Sequence, residues 1–157
     1  MFVSKKITKK SVCIAAAIII LLLVIIFRFM ICGFQKSTAQ SDTMGTYSLL
    51  AADNEGCLDF LNQFEIIVDN NPVEVSKVRI PSVFNEVYEQ YNRLQKKQGL
   101  DLEDYKGKEC EKRTYNVKDC GDDDVHANLL IYDGKVIGGD ICSTRLDGFM
   151  KTFDGQS

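Results

Sequence analysis

Residues 125–142, VHANLLIYDGKVIGGDIC, contain the strongest turn signal of the chain and point to its fold class. The dipeptide Asp133-Gly134 lies between two runs that are rich in apolar and β-branched residues. A two-residue Asp-Gly loop between such runs is typical of an antiparallel β-hairpin. We therefore predict strands over Val125–Tyr132 and Lys135–Cys142, joined by this turn.

The residues before this hairpin predict two more strands and two helices. Strands are expected over Val73–Ile80 and Glu109–Val117. One helix is expected after the N-cap residue Asp53, because apolar residues follow at helical spacing: Cys57, Phe60, Leu61 and Phe64. The other is expected to begin at Pro81, with an apolar stripe of Val83, Phe84, Val87, Tyr88, Tyr91 and Leu94. The predicted fold class is α+β, a small antiparallel sheet with both helices packed on one face.

The predicted hairpin register separates the only histidine from the nearest cysteine. With a two-residue loop, His126 lies opposite Ile141 and Cys142 lies opposite Val125. Side chains alternate between the faces of a strand, so His126 and Cys142 are expected on opposite faces. Only a β-bulge would bring them together as a nucleophilic pair.

The triplet Gly138-Gly139-Asp140 is the one local irregularity of the hairpin. The same register places Asp140 opposite Ala127, on the apolar face formed by Val125, Ala127, Leu129, Ile131 and Val136. A carboxylate on a core face must find hydrogen-bond partners. We therefore take Gly138, Gly139, Asp140 and His126 as candidate binding residues. The simpler alternative is a bulge that the glycines permit, with Asp140 bonded to backbone amides.

No motif in the chain identifies a catalytic residue, a cofactor or a metal site. The cysteines after residue 34 are Cys57, Cys110, Cys120 and Cys142, and no C-x-x-C occurs. Cys110 and Cys120 flank an acidic loop and form a candidate disulfide, although other pairings stay open. The loop, residues 119–124, lacks the spacing of a calcium-binding EF-hand. We expect no catalytic residue, no cofactor and no metal.

The charge distribution indicates a membrane anchor. The 157 residues have a net charge of −3, which excludes a strongly basic nucleic-acid-binding protein. Residues 1–36 carry six basic and no acidic residues, whereas the remainder carries 13 basic and 22 acidic residues. Residues 12–34 are apolar apart from Arg28 and are long enough to span a bilayer. A cleaved signal peptide, with a site near Ser37-Thr38-Ala39, is the alternative.

The positive-inside rule then gives the organisation of the chain. Residues 1–11 form a basic cytoplasmic tail, 12–34 a transmembrane helix and 35–52 a polar linker. Residues 53–157 form a domain outside the cell membrane. The expected partners are the membrane itself and a protein or cell-envelope component, and no nucleic acid.

Three stretches resemble a known family: residues 80–105, residues 106–108 and residues 128–150. The pattern I-P-x-x-F-x-x-V-Y-x-x-Y-N, followed by G-G-D-I-x-S, is similar to that of domain-of-unknown-function family 4830. Its members are small bacterial proteins, usually with one N-terminal span. The resemblance implies the anchored layout and supplies no catalytic residue.

The sequence thus favours a single-pass protein whose outer domain binds a protein or an envelope component in a regulatory or structural role. Two alternatives remain open. One is an envelope enzyme that uses Cys142 or Cys120 as a reactive thiol. The other is a small-ligand sensor with a pocket between helix and sheet.

Overall fold

The structure is a computed structural model that describes residues 18–24, 37–118, 125–145 and 148–157. It divides into two compact units, Met1–Lys36 and Ser37–Ser157. In the first unit, residues 18–24 are helical and each of their side chains is at least 52% exposed. Among the described residues, no helix combines the length and the apolar composition needed to cross a membrane. The predicted tail 1–11 and residues 12–17 and 25–34 of the predicted span lie outside the described residues.

The second unit is α+β, as predicted. Its strands are β1 (Thr38–Ser41), β2 (Gly45–Ser48), β3 (Glu74–Arg79), β4 (Glu109–Asn116), β5 (Val125–Tyr132), β6 (Lys135–Ser143) and β7 (Met150–Lys151). Its helices are α1 (Asn54–Asn62), α2 (Glu86–Lys97) and a short 3₁₀ helix (Leu102–Tyr105). Strands β1 and β2 form a separate hairpin. The other strands form an antiparallel sheet in chain order, β3-β4-β5-β6-β7.

The central hairpin forms at the predicted turn. Asp133 and Gly134 have φ angles of 51° and 71°. Positive φ at both loop residues is typical of a type I′ turn, whose twist matches that of the flanking strands. The four predicted strands are therefore confirmed as β3 to β6, whereas β1, β2 and β7 were not predicted.

The starts of the two helices test the capping predictions. Asp53 caps α1, since its Oδ1 accepts a hydrogen bond of 2.8 Å from the Gly56 amide. The predicted start of the second helix at Pro81 is wrong, because α2 begins at Glu86. The side chain of Asn85 accepts a 2.9 Å bond from the Tyr88 amide and so fixes the start there.

The two helices cover opposite faces of the sheet, so the prediction that both pack on one face is wrong. Residues of α1 pack with the odd-numbered β5 residues Ala127, Leu129 and Ile131. Tyr88 and Tyr91 of α2 pack in the other cluster, which contains Leu130. Leu129, Leu130 and Ile131 are all buried. A strand that is apolar at consecutive positions has both faces covered. We call the two sides the α1 face and the α2 face.

Residues 37–51 form part of the domain, so the predicted linker over 35–52 is wrong for them. Four residues of this segment are buried in the core of the α1 face: Ala39, Tyr47, Leu49 and Ala51. The Ala51 amide donates to the Gly134 carbonyl at 2.9 Å, and the Val136 amide donates to the Leu49 carbonyl at 2.8 Å. The polar composition of the segment conceals the alternation of Tyr47, Leu49 and Ala51, which is a strand pattern.

Asp154 joins the C-terminal residues to the β1–β2 turn. Its carboxylate accepts hydrogen bonds from Ser41 Oγ at 2.7 Å and Gln156 Nε2 at 3.1 Å, and also from the Thr43 and Thr152 hydroxyls. Burial raises the pKa of the Asp154 carboxyl, but these hydrogen bonds outweigh burial and lower that pKa to about 2. We refer to this cluster as the Asp154 clamp.

Candidate functional site

A β-bulge in β6 changes which side chains meet across the central hairpin. Ile131 pairs with Val136, but the next pair is Leu130 with Gly138, so Ile137 is the extra residue. From there the register is shifted by one residue along β6. Cys142 lies opposite His126, and the predicted pairing of Cys142 with Val125 is wrong. Because a bulge inserts one residue, each side chain that follows it lies on the face opposite to the one predicted without the bulge.

The bulge moves Asp140 to the α2 face, so its predicted place on the core face opposite Ala127 is also wrong. Asp140 lies opposite Asn128 and is 3% exposed. Its Oδ1 accepts a 2.9 Å bond from the Tyr91 hydroxyl, and its Oδ2 accepts a 3.0 Å bond from Asn128 Nδ2. Thr114 Oγ1 donates to Asn128 Oδ1 at 2.8 Å, which orients the amide. The carboxylate is thus held by side chains, not by the backbone amides expected in the simpler alternative.

Burial and the Asp140 carboxylate also act on the Tyr91 hydroxyl. Tyr91 is bonded to Asp140, and burial followed by the negative charge of that carboxylate raises the pKa of Tyr91 well above its usual value. The hydroxyl therefore stays protonated and acts as a hydrogen-bond donor. The sequence analysis assigned Tyr91 only to the apolar stripe of this helix and so missed this role.

Cys142 and His126 are half-buried neighbours at the end of the same face. The Asn128 Nδ2 that binds Asp140 also donates to Cys142 Sγ at 3.3 Å. Burial, and then the charge of Asp140, raise the pKa of the Cys142 thiol. A raised pKa reduces the thiolate population, and the thiolate is the nucleophilic form. The pairing of His126 and Cys142 therefore brings the two residues of the proposed dyad together without activating the thiol.

The glycine pair beside Asp140 is explained by close packing. A Cβ at Gly139 would lie 2.2 Å from the Asn128 carbonyl oxygen and 2.5 Å from Cζ of Phe153. The Gly139 amide donates to Gln95 Oε1 at 2.8 Å, and the Gly139 carbonyl accepts from Gln98 Nε2 at 3.0 Å. Gly138 faces Leu102, which a Cβ would approach to 3.0 Å. The glycines allow α2 and the C-terminal segment to approach β6, which accounts for both residues without a ligand.

The remaining cysteines are placed inside the domain. Cys57 and Cys110 are buried, and neither they nor Cys142 form a disulfide with another residue that the structure describes. Burial raises the pKa of both buried thiols. Cys120 lies outside the described residues, so its pairing with Cys110 stays a prediction, as do the properties of the acidic loop 119–124. In the described part of the chain, no group of three or more His, Cys, Asp and Glu side chains is placed to hold a metal ion.

A surface groove of about 490 Å³ lies beside α2 and the segment that precedes it. Val83 forms part of its wall and is 83% exposed. The groove also contains Lys96 and Lys106, whose ammonium groups lie 3.0 Å and 3.9 Å from carboxylate oxygens of Glu103. Arg93 lines the groove and has no ion pair with any residue that the structure describes. The wall thus combines an exposed valine with a guanidinium that no carboxylate in the described part of the chain pairs with.

A family model described as Domain of unknown function (DUF4830) matches residues 60–141, just over half of the chain. The chain belongs to the DUF4830 family. The resemblance drawn from the sequence is therefore confirmed at the level of the family. No curated protein and no solved structure matches the chain.

The DUF4830 match contains Asp140 and the side chains that bond to it, but it ends before Cys142. It includes Tyr91, Asn128 and Asp140, together with Gln95 and Gln98. Sequence reasoning missed Asn128, Gln95 and Gln98. A usable signal was present for the two glutamines, because Tyr91, Gln95 and Gln98 lie at i, i+4 and i+7 on one helix face. Because glutamine is polar, a search for apolar residues alone would not assign this face of α2 to the core.

Proposed function

We propose that this DUF4830 protein is a single-pass membrane protein, with residues 12–34 as its span and residues 1–11 in the cytoplasm. Residues 37–157 then lie outside the cell membrane. The apolar run and the preceding lysines Lys5, Lys6, Lys9 and Lys10 support this topology. The helical conformation of residues 18–24 and the exposure of all their apolar side chains also support it, because such a surface is unfavourable in water.

The outer domain, in this proposal, binds a protein partner through the groove beside α2. The observation that carries the proposal is the exposure of Val83 in the wall of a groove that Arg93 also lines. An exposed apolar side chain and a guanidinium in one groove favour a partner segment that offers an apolar side chain and a carboxylate. A regulatory or structural role follows, since binding through this groove requires no chemistry.

The two alternative functions have less support. A thiol enzyme requires a thiol with a lowered pKa, whereas the pKa values of Cys57, Cys110 and Cys142, the cysteines that the structure describes, are all raised; Cys120, the other candidate thiol, lies outside the described residues. A small-ligand sensor requires a largely apolar pocket with a few convergent polar groups. The groove beside α2 instead carries charged side chains along much of its wall.

The topology is tested with a C-terminal fusion of alkaline phosphatase, which is active only outside the cytoplasm. We expect an active fusion in the membrane fraction that resists extraction at alkaline pH. An inactive fusion, or one released by alkaline extraction, would contradict the anchored topology.

Partner binding is tested by affinity capture of the full chain after crosslinking in cells, with and without the substitution Val83→Ser. The matched control is Val75→Ser, which alters another exposed valine, on β3, away from the groove. We expect one dominant partner whose recovery falls at least tenfold in Val83→Ser and is unchanged in the control. Equal recovery from Val83→Ser and the wild type would contradict docking at this groove.

A further inference from the structure

Three side chains with soft or borderline donor atoms form a row across the α2 face. His126 of β5 pairs with Cys142 of β6, and Cys142 pairs in turn with Met150 of β7. Residues directly opposite each other in an antiparallel sheet project to the same face, with Cβ atoms about 4.5–5.5 Å apart. The imidazole, the thiol and the thioether are therefore consecutive neighbours on one side of the sheet.

The spacing within the row brings the two sulfur-containing residues closest. The Ser143 amide donates to the Phe149 carbonyl at 3.0 Å, so the adjoining Cys142–Met150 pair is a non-hydrogen-bonded pair. Side chains approach more closely in such pairs. Met150 is 48% exposed on a strand of two residues, and its side chain has three rotatable bonds with which to reach the thiol.

The donor set matches a soft cation. Thiolate and thioether ligands select Cu(I), and imidazole also binds copper. A monovalent soft cation accepts two or three ligands, so it does not require the larger groups of His, Cys, Asp and Glu that harder metals need. The β6 bulge is essential to this arrangement, because without it Cys142 would lie opposite Val125.

The charge that acts most strongly on the Cys142 sulfur is that of the Asp140 carboxylate, ahead of the opposing charge of Lys112. Asp140 is buried, and its hydrogen-bond donors, Tyr91 and Asn128, are both neutral. No ion pair involves Asp140 within the described residues. One Asn128 amide nitrogen contacts both the Asp140 carboxylate and Cys142 Sγ, so this carboxylate lies beside the sulfur. A thiolate there would add a second negative charge, which a bound cation would balance. The hydrogen bond that Asn128 donates to Cys142 Sγ would orient this sulfur ligand.

We propose that His126, Cys142 and Met150 form a binding site for Cu(I) on the α2 face. On binding, the Cys142 S–H bond breaks, the sulfur binds the cation, and the proton passes to solvent. The oxidation state of copper does not change. The site is separate from the groove beside α2 and does not depend on the docking proposal.

The test is a titration of the full chain with Cu(I) in detergent, without oxygen and in competition with the chromophoric ligand bicinchoninate. The parent protein carries Cys13→Ser, Cys32→Ser and Cys120→Ser, which removes the three cysteines that lie outside the described residues. His126→Gln, Cys142→Ser and Met150→Leu are compared with that parent. Met44→Leu and Cys110→Ser are the matched controls, and thermal melting verifies that each variant is folded.

We expect one equivalent of Cu(I) in the parent and in both controls. Each of the three ligand variants should bind at least tenfold more weakly. A folded His126→Gln, Cys142→Ser or Met150→Leu protein with parental affinity would overturn the three-ligand site. A parent that takes up no Cu(I) from bicinchoninate would overturn it as well.

Discussion

The Asp154 clamp makes a quantitative prediction about how residues 37–51 are held in the domain. Asp154→Asn removes the charge that Ser41, Thr43, Thr152 and Gln156 stabilise. Lowering the carboxyl pKa from 3.8 to about 2 corresponds to roughly 2 kcal/mol of unfolding free energy. Asp154 is only partly buried, and screening by water reduces this contribution to about 1 kcal/mol. For a unit of this size, we expect a loss of about 4 °C in Tm at neutral pH.

The same clamp predicts a specific pH window. The carboxyl pKa is lower in the folded protein than in the unfolded chain, so its stabilisation is complete above the unfolded value of about 4. It disappears as the pH falls through about 2, where the folded carboxyl takes up its proton. The difference in stability between the wild type and Asp154→Asn should therefore shrink steadily from pH 5 to pH 2.

The assay is thermal melting of the full chain and of Asp154→Asn between pH 7 and pH 2. Asp42→Asn is the matched control, because Asp42 is an exposed acid in the β1–β2 turn next to Ser41. We expect this control to melt with the wild type throughout. Equal Tm values for wild type and Asp154→Asn at pH 7, or a difference that does not change with pH, would refute the reasoning.

Three further substitutions test the packing around the site, each by chemical denaturation. Gly139→Ala should lower the unfolding free energy by more than about 3 kcal/mol, because its Cβ would overlap the Asn128 carbonyl and Phe153. Gly45→Ala is its control: it has positive φ but open space around the new Cβ, and should cost only about 1 kcal/mol. Asp140→Asn should cost about 1–3 kcal/mol, because one of the two buried donors, Tyr91 or Asn128, loses its acceptor; an unchanged midpoint would contradict this hydrogen-bond assignment. Asn85→Ala should cost about 1 kcal/mol through loss of the α2 N-cap, and a cost of zero would place the start of that helix elsewhere.

The parts of the fold that the sequence predicted are those governed by local chemistry. The β5–β6 turn follows from Asp133-Gly134, and the start of α1 follows from the Asp53 side chain. Both depend on residues within a few positions of each other. The inner ends of β5 and β6 follow for the same reason, since both strands adjoin that turn.

The errors arise where a long-range contact decides the structure. The bulge at Ile137 shifts the register of β6, and the helix that packs against this strand is brought there by Gln95 and Gln98. Nothing within the hairpin itself indicates which residue is extra. The bulge therefore puts Asp140 on the face opposite to the predicted one, and a binding role for Asp140, Gly138, Gly139 and His126 stays a prediction.

Composition was a poor guide to the N-terminal boundary of the domain. Residues 37–51 are polar on average, yet Tyr47 is buried and its hydroxyl donates to the Gln98 carbonyl at 2.5 Å. A single alternating face is enough to form a strand, even when the opposite face is polar. The sequence analysis also overlooked a signal in β5. The consecutive apolar residues Leu129, Leu130 and Ile131 indicate burial on both sides of the sheet, which is consistent with helices on opposite faces.

Docking beside α2 is tested most directly by site-specific photo-crosslinking in intact cells. A photoreactive amino acid is placed at position 83 of the full chain, in the wall of the groove, or at position 75 on β3. Both native residues are exposed valines, so both positions tolerate the substitution and report on different surfaces. We predict one discrete protein adduct from position 83 and none from position 75. No adduct at position 83, or the same adducts from both positions, would contradict binding at this groove.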